Sequence, residues 1–207
     1  LFAGKVLDDP MQYACQKNFA FLSTDGLWNG AAGFDINNNA VGNQDNVDAG
    51  VSAKPKWDGN QLPTTSAGSS FGGKDTLADV AMYYYKTDLR DAANSNCSVT
   101  VSGSPSDVCD NSLVMTTAKH PLAQQNMVTY SIGLGVNGTL GFEDNYEDAV
   151  PGTDFASILS GAKVWPAPKQ DNETSVDDLW HAAVNGGGTY YSAKDPRSLA
   201  TGLSEAL

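Results

Sequence analysis

Asn18-Phe19-Ala20-Phe21-Leu22-Ser23-Thr24-Asp25-Gly26 is the stretch on which the reading of this chain turns. A short apolar run closes on a hydroxyl, a carboxylate and a glycine. A continuous apolar run bounded by a turn signal reads as a strand buried on both faces, the pattern of a parallel sheet. Ligands of open α/β sheets bind at the carboxyl ends of the strands. Thr24 and Asp25 emerge at that edge, and Gly26 lets the chain turn sharply behind them. A carboxylate beside a hydroxyl supplies the oxygen ligands that a hard divalent cation, Mg²⁺ or Ca²⁺, prefers. A plainer role, in which Asp25 caps the next segment, fits the same residues.

Working outward, the chain alternates regular and irregular stretches. Residues 30–75 are polar and without period, and a connection of that length is usually functional or disordered. Thr76 opens a helix whose Leu77, Val80, Ala81, Tyr84 and Tyr85 form one apolar stripe, with Asp75 as the expected N-cap. A second irregular insert covers 91–122. Met127 to Leu134 reads as a strand, with Val128, Tyr130, Ile132 and Leu134 alternating. Phe155, Ile158, Leu159 and Ala162 mark a short helix. Ser175 and Asp178 make a variant capping box for a helix with Val176, Leu179, Trp180, Ala183 and Val184 on one face. Gly186 to Gly188 stop it, Thr189 to Ala193 is a strand, and Asp195-Pro196 begins a last helix lined by Leu199, Leu203 and Leu207. Strands alternating with helices imply βαβ units, hence an α/β fold with a mostly parallel sheet.

Composition excludes several classes. The 207 residues carry 24 acidic against 12 basic side chains, a net charge of −12. No Lys/Arg run exists to contact phosphates, which argues against nucleic acid and against an anionic membrane surface. No stretch approaches the ~20 apolar residues of a membrane span. The sequence starts at Leu1 without methionine or signal peptide, so a fragment or processed product is expected. Cys97 and Cys109 flank a polar loop, where a disulfide would contribute about 3 kcal/mol and imply an oxidising compartment. Two unpaired loop cysteines are the other reading. Cys15 is left over, either buried or paired outside the sequence.

Several motifs look like chemistry. Gly68-Ser69-Ser70-Phe71-Gly72 satisfies the hydrolase G-x-S-x-G pattern around Ser70, but no apolar strand precedes it. Gly68 to Asp75 nearly matches a phosphate-binding loop, with Asp75 where a Mg²⁺-holding hydroxyl belongs. Asp35, Asn37 and Asn39 begin like a calcium loop, with further oxygen donors at Asp45 and Asp48, yet the glycine of such loops is replaced by Ala40. A solvated polar loop competes with a calcium site of another geometry. His181, beside Trp180, reads as a packed, hydrogen-bonded histidine.

Taken together, CQKNFAFLSTDGLWN (15–29), TLADVAMYYYKTDLR (76–90), MVTYSIGLGVNGTL (127–140) and VDDLWHAAVNGGGTYYSAKDP (176–196) resemble the C-terminal half of a von Willebrand factor A domain, specifically that of the PilY1/PilC family of type IV pilus tip-associated adhesins. The resemblance implies a doubly wound, Rossmann-like sheet, residues 1–207 forming part of one domain with inserts at about 30–75 and 91–122. It implies a metal-ion-dependent adhesion site that includes Asp25 and Thr24. The first strand and helix, and the D-x-S-x-S ligands, are expected upstream of Leu1. The implied function is a non-enzymatic adhesion and assembly module at the pilus tip, exported through the periplasm. Its implied partners are pilin or minor pilins, a host or surface ligand, and the rest of its own polypeptide. A secreted serine hydrolase using Ser70 is the alternative.

Overall fold

A computed structural model describes residues 9–27, 32–45, 58 and 73–193. In chain order these residues form β1 (Asn18–Thr24), α1 (Leu77–Lys86), β2 (Ser98–Val101), β3 (Ser104–Asp107), β4 (Met127–Leu134), α2 (Asp154–Ser160), α3 (Thr174–Asn185) and β5 (Gly187–Ala193). Strands β1, β4 and β5 make one parallel sheet in the order β1-β4-β5, with Phe21 opposite Tyr130 and Ser131 opposite Tyr190. This is the α/β architecture expected from the alternation of elements. The helix expected after Asp195 lies outside the described residues.

β4 is the central strand, and its run of Val, Tyr and Ile suits a pleated surface packed on both sides. Its buried Ser131 hydroxyl donates to the Leu179 carbonyl oxygen at 2.8 Å. Helices α1 and α3 pack side by side, α3 over β4 and β5 and α1 against β4. The turn from α3 into β5 hugs β4 so closely that a Cβ on Gly188 would stand 2.1 Å from the Thr129 carbonyl oxygen. That approach is what the glycine run permits.

The core lies on the α3 side of the sheet. Trp180 is its centre, with ring centroids of Tyr146, Phe142 and Trp165 at 5.1, 5.2 and 5.3 Å. Each meets Trp180 edge to face, the arrangement that ring quadrupoles favour. Leu22 of β1 packs against the same cluster.

Four sequence expectations need correction. β1 is not buried on both faces: Phe19 and Phe21 are 50% and 42% exposed, because no described helix covers that side of the sheet. The N-cap of α1 is Thr76, in a capping box with Asp79, whereas Asp75 takes a left-handed conformation (φ 58°) and accepts a hydrogen bond from the Gly42 amide. The buried apolar face of α1 is Ala78, Ala81, Met82 and Tyr85, with Val80 and Tyr84 of the expected stripe only half-buried. Finally, Ser175 and Asp178 form no capping box: the Ser175 hydroxyl donates to the Asn172 carbonyl, and Asp178 reaches across to α1.

Cys97 and Cys109 are joined, with Cα atoms 4.9 Å apart, and close the antiparallel β2–β3 hairpin. Cys15 is a free, exposed thiol.

Trp180→Ala is expected to destabilise the fold by about 3–5 kcal/mol, the usual range for emptying a buried aromatic site. Leu159→Ala, at a 41% exposed position, should stay within about 0.5 kcal/mol. Urea denaturation of both variants checks this, and equal midpoints would refute the placement of the core.

Candidate functional site

The carboxyl edge of the sheet is built from the ends of β1 and β4 and the first turn of α3. At the end of β1, Thr24 lies opposite Gly133 of β4. The Thr24 hydroxyl donates to the Gly26 carbonyl oxygen at 2.7 Å and accepts from the Gly26 amide at 3.3 Å. This closes the turn and holds Asp25 outward. Asp25 is exposed, and among the described residues its carboxylate takes no hydrogen bond or ion pair. Such a group has its oxygens available for a cation, but one carboxylate alone binds weakly. Among the described residues it belongs to no group of three or more metal-type ligands.

Beside it, the loop after β4 is fixed by Asp177, which is buried. Its carboxylate accepts from the Thr139 amide (3.0 Å), the Thr139 hydroxyl (2.6 Å) and the Leu140 amide (3.1 Å). A side chain at Gly138 would collide with that carboxylate, its Cβ lying 2.0 Å from Oδ1. A cavity of about 280 Å³ opens between this loop and α3, walled by Phe142, Trp180 and Tyr190. Sequence reasoning missed Asp177. The only available signal was two adjacent acids in the first turn of a helix, where carboxylates are usually surface groups beside the helix dipole.

The second acid of that pair, Asp178, accepts from the Leu77 and Ala78 amides at 3.0 and 3.2 Å and so caps α1 from another helix. Asp79 accepts from the Gln44 amide at 2.7 Å and from Thr76. Asp45 lies buried against α3, its Oδ2 3.3 Å from His181 Nε2 and accepting from Asn185 at 3.0 Å. Trp165 stacks on the His181 ring at 4.5 Å. The segment 41–45 is thereby strapped across both helices.

The residues of the prospective calcium loop are thus separated. Asp35 sits in an exposed turn, where its Oδ1 accepts from the Asn37 and Asn39 amides, each at 2.8 Å. Asn39 also donates to Asp35 through its side chain. Asp45 is in the strap, and Asp48 lies outside the described residues, as does Ser70 with its G-x-S-x-G motif. The one described trio of metal-type ligands within mutual reach is Cys97, Asp107 and Cys109, whose sulfurs are consumed by the disulfide.

Burial, followed by the charge of Asp45, pushes the Asp79 carboxyl up to about 7 against the hydrogen bonds it accepts. Burial likewise raises Asp178 to about 6, opposed by His181 and the α1 amides. Asp9 moves the other way: burial raises it, but the Arg90 guanidinium outweighs that and holds it below the ordinary range.

Over 196 residues, 95% of its length, the chain is 30% identical to the type IV pilus biogenesis factor PilY1 of Pseudomonas aeruginosa strain PAK. The same figures hold for PilY1 of strain PAO1, and identity is 29% over 204 residues for strain UCBPP-PA14. The chain spans only 16% of the length of each of these relatives. No family model and no solved structure matches it. Among the described residues no helix is long and apolar enough to cross a membrane.

The raised carboxyls set the pH response. A folded pKa above the unfolded value of 3.8 means that the folded chain takes up protons first as the pH falls. The resulting stability is fully present below about pH 4 and is lost as the pH rises through about 6 to 7. Asp9 contributes oppositely, losing its share below its ordinary range. The urea midpoint should therefore be higher at pH 5 than at pH 8, by on the order of 1 kcal/mol or more in stability. Asp79→Asn should remove much of that difference. A midpoint that climbs between pH 5 and 8 would overturn the assignment.

Proposed function

The chain is related to the PilY1 family through nearly all of its own length, and on that premise we propose that it is a non-enzymatic adhesion and assembly module of a type IV pilus-associated protein displayed outside the cell. It forms part of one von Willebrand factor A-like domain, and a divalent cation, Mg²⁺ or Ca²⁺, binds at the carboxyl edge of its sheet. The observation that carries this reading is the placement of Asp25, an exposed carboxylate held outward by the Thr24–Gly26 turn at the end of a parallel strand.

Asp25 supplies one oxygen ligand, and the Thr24 hydroxyl a second if it exchanges its bond to Gly26. The remaining ligands come from residues outside this sequence. A cation so held keeps an open position for a carboxylate on a partner, with pilin, minor pilins or a surface ligand as the candidates. The disulfide supports an oxidising compartment. The exposed turn at 37–40 and the β2–β3 hairpin offer surfaces for recognition.

The test uses the longer polypeptide. Asp25→Ala should weaken Mg²⁺ or Ca²⁺ binding at least tenfold in calorimetric titration, while the circular dichroism spectrum stays unchanged. The 207-residue chain alone should bind neither ion tightly at this edge. Unchanged affinity in the variant would reduce Asp25 to a turn residue.

A further inference from the structure

Two Asn-Gly pairs lie among the described residues, and the fold treats them in opposite ways. Asn185-Gly186 closes α3. Asn185 is fully buried, and its side-chain amide donates to Asp45 Oδ2 at 3.0 Å and to the Ala78 carbonyl oxygen at 3.3 Å. The Gly186 amide donates to the Ala182 carbonyl oxygen at 2.8 Å. Asn137-Gly138 lies in the loop after β4, and Asn137 is exposed. Among the described residues, neither the Asn137 side chain nor the Gly138 amide has a hydrogen-bond partner. Packing imposes the glycine, since a Cβ at 138 would stand 2.0 Å from Asp177 Oδ1. The fold thus requires, directly after an exposed asparagine, the residue whose missing Cβ leaves its backbone nitrogen least hindered.

We propose that Asn137 is a site of spontaneous deamidation. The Gly138 backbone nitrogen attacks Asn137 Cγ and forms a C–N bond. The bond from Cγ to the side-chain nitrogen breaks, and ammonia leaves with the proton of the Gly138 amide. Water then opens the five-membered imide at either carbonyl. The product is aspartate or, where the main chain now runs through Cβ, isoaspartate. In sum an amide and water give an acid and ammonia, with no oxidant or reductant. At Asn185 the same step must first break the three hydrogen bonds that hold the reacting groups. At Asn137 the product adds a carboxylate to the loop at the carboxyl edge of the sheet. Its isoaspartyl form also lengthens the main chain between two anchors. One is the Gly135 amide on the Ala193 carbonyl oxygen, and the other is the Thr139 and Leu140 amides on Asp177. The added backbone atom strains the Asp177 anchor.

The proposal is independent of the cation reading. The full-length protein is aged at mildly alkaline pH, with and without urea, and then digested. Cleavage after Lys119, Lys163, Lys169 and Lys194 puts the two pairs on separate peptides, and mass spectrometry follows the amide-to-acid mass gain in each. In the native protein, Asn137 should convert on the order of a hundredfold faster than Asn185, the factor that a few net hydrogen bonds supply. In urea the two rates should converge, because the fold no longer protects Asn185. Asn137→Gln should remove the fast phase. As isoaspartate accumulates, the wild-type urea midpoint should fall while that of Asn137→Gln holds. Equal native rates at the two sites, or a fast phase that survives Asn137→Gln, overturn the proposal. An unchanged midpoint in converted protein would refute the strain on the Asp177 anchor.

Discussion

The fold depends on one buried carboxylate. Asp178, in the first turn of α3, accepts the Leu77 and Ala78 amides that open α1. The first amides of any helix lack partners within it, and leaving them unpaired in a buried setting costs about as much as a lost hydrogen bond. Thr76 serves the Asp79 amide, and Asp178 serves the two that precede it. The two helices therefore share one polar joint, and their relative position over β4 follows from it. Its neighbour Asp177 does the same for the loop beyond β4. Two consecutive residues thus organise both the helical layer and the edge of the sheet where ligands of α/β folds bind.

Along α3 the residues sort by spacing. Asp178, His181 and Asn185 recur at helical intervals and meet α1 and the strap containing Asp45. Val176, Leu179, Trp180 and Ala183 build the aromatic core. The helix is buried nearly all round, so its polar residues are partnered internally and burial raises the Asp178 carboxyl above its ordinary range.

This division explains what could be read from sequence. The β4 strand, the short helix α2, the glycine stop after α3 and the cysteine pair rest on local patterns, and the structure has all of them. The position of Asp25 at a strand end was legible for the same reason. What was not legible rests on contacts between distant residues. Asp178 looked like a local cap for its own helix because sequence proximity is the only partner a local rule can offer; its true partners lie about a hundred positions away. Asp45 looked like a cation ligand because it follows a run of Asn and Asp, yet it pairs with a histidine 136 residues on. Phe19 and Phe21 fit a strand buried on both sides, and what covers one of those sides is supplied by no described helix.

The joint at the start of α3 also has a mechanical meaning. One rigid helix holds the 138–140 loop through Asp177, α1 through Asp178 and the strap through His181. A pull on the strap is therefore borne by the same rod that sets the loop above β4. A residue inserted in α3 between Asp178 and His181 would turn these handholds about 100° out of alignment. Tension on the strap and the geometry of the 138–140 loop are coupled through side chains spaced along little more than one turn of helix.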